Sequence, residues 1–380
     1  MQLSVDRILT THTGSLPRPD LLGEAMVLRD RGKLPSNQMN VIPQRIRDAV
    51  TAIVQRQVDT GVDIVNDGEM SKIGYATYVR ERLTGFDGEA GRGFTIGDLS
   101  DLQEFAQRSL AGLDPATPTC RSSVKFIGAA AVAEDIANLK AATAKTDTVE
   151  VFMTAASPGV ISIYLQNEYY PNEEAYLAAI GSAMREEYEA ICDAGFVLQI
   201  DAPDLAMGRH VGAGVLTVEE FRRKIALRVE LLNDATRNIP QERLRIHVCW
   251  GNYMGPHHLD VPLRDIVDII FRSRAGAILF EAANPRHEHE WRVFEQTKVP
   301  DDKILIPGVI DTCTNYVEHP ELIADRIVRF AQLVGRDRII AGTDCGFASF
   351  ASFLSVDPKI AWMKLHALVD GAAEASRRLW

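Results

Sequence analysis

The stretch "LRIHVCWGN", residues 244–252, places a histidine and a cysteine two positions apart at the end of an apolar run. On a strand, successive side chains alternate faces, so His247 and Cys249 point the same way and one metal ion could touch both. Two ligands do not complete a site, so other segments must supply the rest. Four neighbouring segments have the same form: "FVLQIDAPD" (196–204), "GAILFEAANP" (276–285), "KILIPGVIDTC" (303–313) and "RIIAGTDCG" (338–346). Each reads as a buried strand followed by a helix or a polar loop leading into one. Upstream, "RILTTHTG" (7–14), "VDIVNDG" (62–68) and "VEVFMTAASPG" (149–159) read as three more strands. Helices are expected over 42–60, stopped by Gly61, and from about Glu173 to Ala194, ending at Gly195. The Gly-rich "TGFDGEAGRGFTIGD" (84–98) reads as an insertion or hairpin.

Eight strand-to-helix steps with strands buried on both faces imply a parallel sheet. Eight units favour a closed (β/α)8 TIM barrel with an insertion between strands two and three. The competing doubly wound sheet lacks a G-x-G-x-x-G opening its first helix. The 380 residues suit one such barrel, so residues 1–380 are expected to form a single zinc-binding catalytic domain. The C-terminal "KIAWMKLHALVDGAAEASRRLW" is an amphipathic helix that could pack on its own barrel or on a partner, and oligomeric state is not legible.

A formal net charge of −11 with no long basic run argues against nucleic acid and anionic membrane surfaces as partners. The first ten residues lack a signal-peptide core, and no apolar run is long enough to span a bilayer. Five widely spaced cysteines fit reduced thiols rather than a disulfide framework, so the cytoplasm is the expected location.

In such barrels the active site lies where the C-terminal ends of the strands converge. Those ends carry Asn66, Asp67 and Glu69; Asp201 and Asp204; His247 and Cys249; Glu281; Asp311 and Cys313; and Asp344 and Cys345. Taken singly, a strand cysteine is usually a small buried hydrophobe, and a strand-end carboxylate often caps the next helix. Taken together, a barrel brings His247, Cys249, Glu281 and Cys345 to one rim. Two thiolates, an imidazole and a carboxylate suit tetrahedral Zn2+.

These motifs carry a resemblance. From "THTGSLPRP" through "NDGE", "LQIDAPD", "HVCWGN" and "LFEAANPR" to "GTDCG", the chain resembles the cobalamin-independent methionine synthase superfamily. The likeness extends to its single-barrel members, including the epoxyalkane:coenzyme M transferase branch. It implies that His247, Cys249, Glu281 and Cys345 bind zinc, which holds a small-molecule thiol as thiolate for attack on the electrophilic carbon of an alkyl donor. It also places Ser15, Glu69 and Asp201 at positions that hold the amino acid in methionine-forming members, Glu69 and Asp201 with catalytic roles. Two departures stand out. Ala202 replaces a family glutamate after strand four, and Cys313 occupies the place of a histidine thought to assist proton transfer. Methyltetrahydrofolate is a poor methyl donor unless its nitrogen is protonated, so Cys313 puts that donor in question. His319 is the remaining candidate for the acid, against its plain reading as a helix-start histidine. By the same resemblance, a single barrel is expected here rather than the two of the long synthases.

"HVCWGNYMGPHH" looks closer to the coenzyme M branch, where the thiol carries a sulfonate and the electrophile is an epoxide. A sulfonate needs cations, for which Arg18 and Arg209 are candidates; His257 and His258 are candidates to protonate an opening epoxide. The expected activity is S-methyl transfer to homocysteine or a related thiol, with epoxide opening by coenzyme M as the alternative. Uroporphyrinogen decarboxylase shares the architecture but lacks the His/Cys/Cys set. A non-catalytic zinc-stabilised binding protein would draw its ligands from tighter local pairs.

Overall fold

Eight parallel strands succeed one another around a barrel: β1 (Leu9–Thr10), β2 (Ile64–Val65), β3 (Glu150–Ala156), β4 (Val197–Asp201), β5 (Leu244–Val248), β6 (Ala277–Phe280), β7 (Ile304–Ile310) and β8 (Ile340–Thr343). The structure, a computed structural model, describes residues 1–88, 95–113, 115–212 and 214–380. Parallel ladders join β2 through β8 in sequence order, and β8 pairs back to β1. Among the described residues only the β1–β2 seam lacks a backbone ladder. Side chains close it instead. The Asp63 carboxylate accepts from the Thr10 amide at 2.8 Å and from its hydroxyl at 2.9 Å, while Thr11 Oγ1 donates to the Ile64 carbonyl at 3.2 Å. Arg7 grips the outer side of Asp63 with both guanidinium nitrogens, at 2.8 and 2.6 Å. The first strand is therefore far shorter than "RILTTHTG", because its threonines use side chains where a ladder would use backbone.

The expected helix over 42–60 forms at Ile42–Thr60, and Gly61 stops it in the left-handed conformation (φ 89°). The helix Glu173–Asp193 starts at Asn172, whose side chain accepts from the Ala175 amide. The C-terminal helix Pro358–Leu379 packs against the helix Pro320–Val334, the helix Ile42–Thr60 and β1, so it covers its own barrel. Between β2 and β3 the chain makes an insertion containing the helix Gln103–Ser109, ahead of the crossover helix Ala129–Thr143, which packs against the helices Ile42–Thr60 and Glu173–Asp193. Residues 89–94 of its Gly-rich stretch lie outside the described residues. The segment from Thr95 onward reaches over the rim, where Ile96 bridges Val211 and the Gly97 amide donates to the His210 carbonyl at 2.8 Å.

The lower barrel is filled by inward apolar residues such as Leu9, Ile64, Phe152, Val197, Leu279 and Ile306. Above them the filling becomes polar. Arg245 on β5 is fully buried, its guanidinium 3.7 Å from the Phe152 ring centroid. It donates to Gln199 Oε1 at 2.8 Å, Thr11 Oγ1 at 3.2 Å and the His12 carbonyl at 3.1 Å.

The seam makes one residue disproportionately important. Asp63→Ala is expected to lower unfolding stability by about 2–3 kcal/mol through loss of hydrogen bonds to a charged group, read as a shifted denaturant midpoint. A change within about 0.5 kcal/mol, the range of ordinary surface substitutions, would show that the seam closes without it.

Candidate active site

At the C-terminal rim, strand alternation sends Arg245, His247 and Cys249 to one face, and Cys345 arrives just past β8. Donor atoms of His247, Cys249 and Cys345, all buried, lie within 4.8 Å of one another. Among the described residues His247 Nε2 has no hydrogen-bond partner, while Nδ1 faces Asp201 Oδ1 at 3.3 Å. A buried imidazole held by a carboxylate on one nitrogen and bare on the other is the arrangement of a metal ligand.

The two sulfurs are close enough to hydrogen-bond to each other. The hydrogen bond from Cys345, helped by His247 and opposed by burial, lowers the Cys249 thiol to about 6. That same bond, with burial, pushes Cys345 well up. Burial works against charge on His247, yet the Cys249 thiolate and Asp201 raise it to about 10. The donor set therefore already carries thiolate character, and a divalent cation fits it.

Glu281 departs from expectation. It is buried nearby, but its carboxylate is not among the converging atoms. Oε1 accepts from the Trp250 amide at 2.7 Å, and Oε2 from Asn284 Nδ2 at 2.6 Å and Arg286 Nη2 at 2.8 Å. With both oxygens engaged it stands one step outside the set.

The cluster lines a cavity that Ser15, Glu69 and Asp201 also line. Gly346 lies so close to Ser15 Oγ that any Cβ there would collide with it. Glu69 sits at φ 58°, a conformation non-glycine residues rarely adopt. Its Oε1 accepts from Thr154 Oγ1 at 2.8 Å, and among the described residues Oε2 is buried without a partner. Burial, with Asp201 nearby and Lys72 opposing, raises the Glu69 carboxyl to about 7.

Other candidates are elsewhere. Arg18 is buried and spends its guanidinium on the carbonyls of Ala348, Glu69 and Lys72, each at 2.8 Å, clasping the Glu69 turn to the β8 loop. Arg209 binds the carbonyls of Leu216 and Leu259 at 3.1 and 2.6 Å. His319 is exposed as the N-cap of Pro320–Val334, accepting from the Glu321 amide. His257 gives its two nitrogens to Asp260 and the Tyr253 carbonyl, and His258 pairs with Asp98. None of the five lines the cavity. Ala202 is buried, its amide on the His247 carbonyl, and the Cys313 thiol donates to Asn252 Oδ1 at 3.0 Å.

The sequence reading missed two groups. Arg245 was legible as a charge sharing the alternation of His247 and Cys249. The aromatic wall of Tyr75, Tyr164 and Phe350 lies on three distant segments and obeys no periodicity.

Residues 164–363 match the family described as cobalamin-independent synthase, catalytic domain. A methionine synthase of Saccharolobus solfataricus is 24% identical over 366 residues, covering 95% of this chain and 93% of that protein. One from Thermococcus kodakarensis is 25% identical over 371 residues, covering 97% and 94%. A B12-independent methionine synthase from Shewanella sp. W3-18-1, solved in complex with selenomethionine, superposes with a TM-score of 0.75 at 21% identity, over 98% of this chain and 99% of that one. That likeness is one of fold.

After chelator treatment, alkylation of Cys249 by iodoacetamide should rise with pH through a midpoint of about 6. Cys345→Ala should move the midpoint upward by removing the hydrogen bond that stabilises the thiolate. An unmoved midpoint would mean that the two sulfurs do not hydrogen-bond to each other.

Proposed function

The chain belongs to the family of cobalamin-independent synthase catalytic domains, and we propose that it transfers a methyl group to the sulfur of homocysteine or a thiol of that class. The observation that carries this reading is the charge of the cavity. Glu69 and Asp201 face it, and among its described lining residues there is no lysine or arginine. An ammonium group finds carboxylate partners there, whereas a sulfonate finds no lysine or arginine to pair with among the described lining residues. The arginines that could have served coenzyme M are bound to backbone carbonyls. The relatives named methionine synthase support the same choice.

We assign His247, Cys249 and Cys345 as the holders of Zn2+. Zinc held there would keep an arriving thiol deprotonated, the form in which sulfur is nucleophilic. Three converging protein donors leave a position for substrate, as in catalytic rather than structural zinc sites. Glu281 is then the candidate to approach or withdraw, steered by Arg286 and Asn284. Asp201 orients His247 through Nδ1, and Gln199 steadies Asp201 at 2.7 Å. Glu69 Oε2 and Asp201 receive the substrate ammonium, and Ser15 shapes the wall beside Gly346.

Two experiments test this. Titrating the zinc-loaded protein with homocysteine should release a proton, because a thiol captured as thiolate must shed one. With 2-mercaptoethanesulfonate no release should occur; the reverse result would transfer the protein to the coenzyme M branch. Methionine, which has no ionisable thiol, isolates Glu69. Glu69 is raised, so it is neutral below about 7 and charged above, and methionine affinity should climb as pH rises through that value. Glu69→Gln should flatten the profile and weaken binding by about 2 kcal/mol or more, the cost of removing one partner of a buried charge pair. A profile unchanged by the substitution would remove Glu69 from the binding site.

A further inference from the structure

The cavity has a second wall that thiol binding does not use. Tyr75, Tyr164 and Phe350 pack with ring centroids 5.6–6.0 Å apart, all three lining the cavity. The two tyrosine hydroxyls meet at 3.2 Å, so their hydrogen-bonding capacity is turned toward each other. Cys249 and Cys345 line the same cavity as these rings. An electron-rich aromatic surface therefore borders the place where an acceptor sulfur would react. Ring faces of this kind attract cations, most strongly desolvated ones that carry methyl groups instead of hydrogen-bond donors. The carboxylates of Glu69 and Asp201 add negative charge to the same cavity, and no lysine or arginine among its described lining residues opposes it.

The leaving group poses a second constraint. A neutral amine donor must be protonated before it can depart. Cys313, in the position where the resemblance expects a histidine, is a buried thiol already committed to Asn252. His319 is exposed at a helix start. A donor whose leaving atom already bears the positive charge needs no acid.

We propose that the methyl donor is an onium compound, a sulfonium or quaternary ammonium, whose cationic head rests against Tyr75, Tyr164 and Phe350. The proposal rests on the reading of the site as thiol S-methylation. The acceptor thiolate forms a new S–CH3 bond in line with the breaking bond. The electron pair of the broken bond stays on the departing atom, which leaves as a neutral thioether or tertiary amine. Charge cancels, and neither proton nor oxidant enters.

The test uses the zinc-loaded protein with homocysteine and three donors: trimethylsulfonium, methyltetrahydrofolate and methyl iodide, the last an unselective electrophile. Trimethylsulfonium is expected to yield methionine and dimethyl sulfide. Tetramethylammonium, a cation of matching shape, should inhibit that transfer and bind by calorimetry, whereas the uncharged tert-butanol should do neither. Phe350→Leu keeps an apolar side chain but removes a ring, and should weaken tetramethylammonium by about fivefold to tenfold. Turnover with methyltetrahydrofolate but not with the sulfonium, or equal inhibition by tert-butanol, overturns the proposal. If methyl iodide still alkylates homocysteine in a protein-dependent way, the thiol reading survives that result. If it does not, both fall together.

Discussion

A single buried guanidinium organises the site. Arg245 lies inside the barrel where a filled core normally holds apolar side chains, and its charge must be satisfied there. It does so by seizing Gln199, Thr11 and the His12 carbonyl while lying over Phe152. Burial opposes its charge, and Glu150 and Asp201 favour it. Gln199 turns its amide to Asp201 and to the Thr13 carbonyl, and Asp201 faces His247. A chain of polar contacts thus runs from the barrel interior to the imidazole that faces the two sulfurs. Arg245, Gln199, Asp201 and His247 are all buried and all sit on strands, which gives a site its positional accuracy.

The rim loops depend on buried charges in the same manner. The Asp344 carboxylate accepts from the amides of Ala282, Ala283 and Asn284 at 2.8–2.9 Å, tying the β6 loop to the end of β8. Arg18 ties the Glu69 turn to the β8 loop. Asp260 gathers His210, His257 and His287 beneath the loop after β5, and all three imidazoles hold its carboxyl low after outweighing burial. Several polar residues that read as chemistry in the sequence are thus scaffolding. Among the described residues, His247 Nε2 and Glu69 Oε2 are buried atoms of the cavity lining that have no hydrogen-bond partner.

This division explains which assignments were legible. Strand periodicity and the polar residue at each strand end were local signals, and they led to the barrel, its C-terminal rim and the convergence of His247, Cys249 and Cys345. The arginines failed for a physical reason. A guanidinium after a strand is equally suited to an anionic ligand or to several backbone carbonyls, and only the loop path decides between them. Arg18 and Arg209 found carbonyls. His319 likewise became a helix cap because the amide of Glu321 was the donor within its reach. Glu281 came to the expected place, but its orientation was set by Asn284, Arg286 and the Trp250 amide.

The sequence by itself determined the alternation of strand and helix, the parallel order, the identity of the clustered donors and the negative balance of the chain. These come from periodicity, residue type and spacing, all of which are properties of short windows. The tertiary structure alone decided the rest. It closed the β1–β2 seam through Asp63, buried Arg245 beneath the site, set Glu69 in a left-handed turn and gathered three aromatic rings beside the sulfurs. The seam, the buried guanidinium and the ring cluster each join residues far apart in the chain, and their geometry exists only once loop closure and packing have fixed which groups are left to meet.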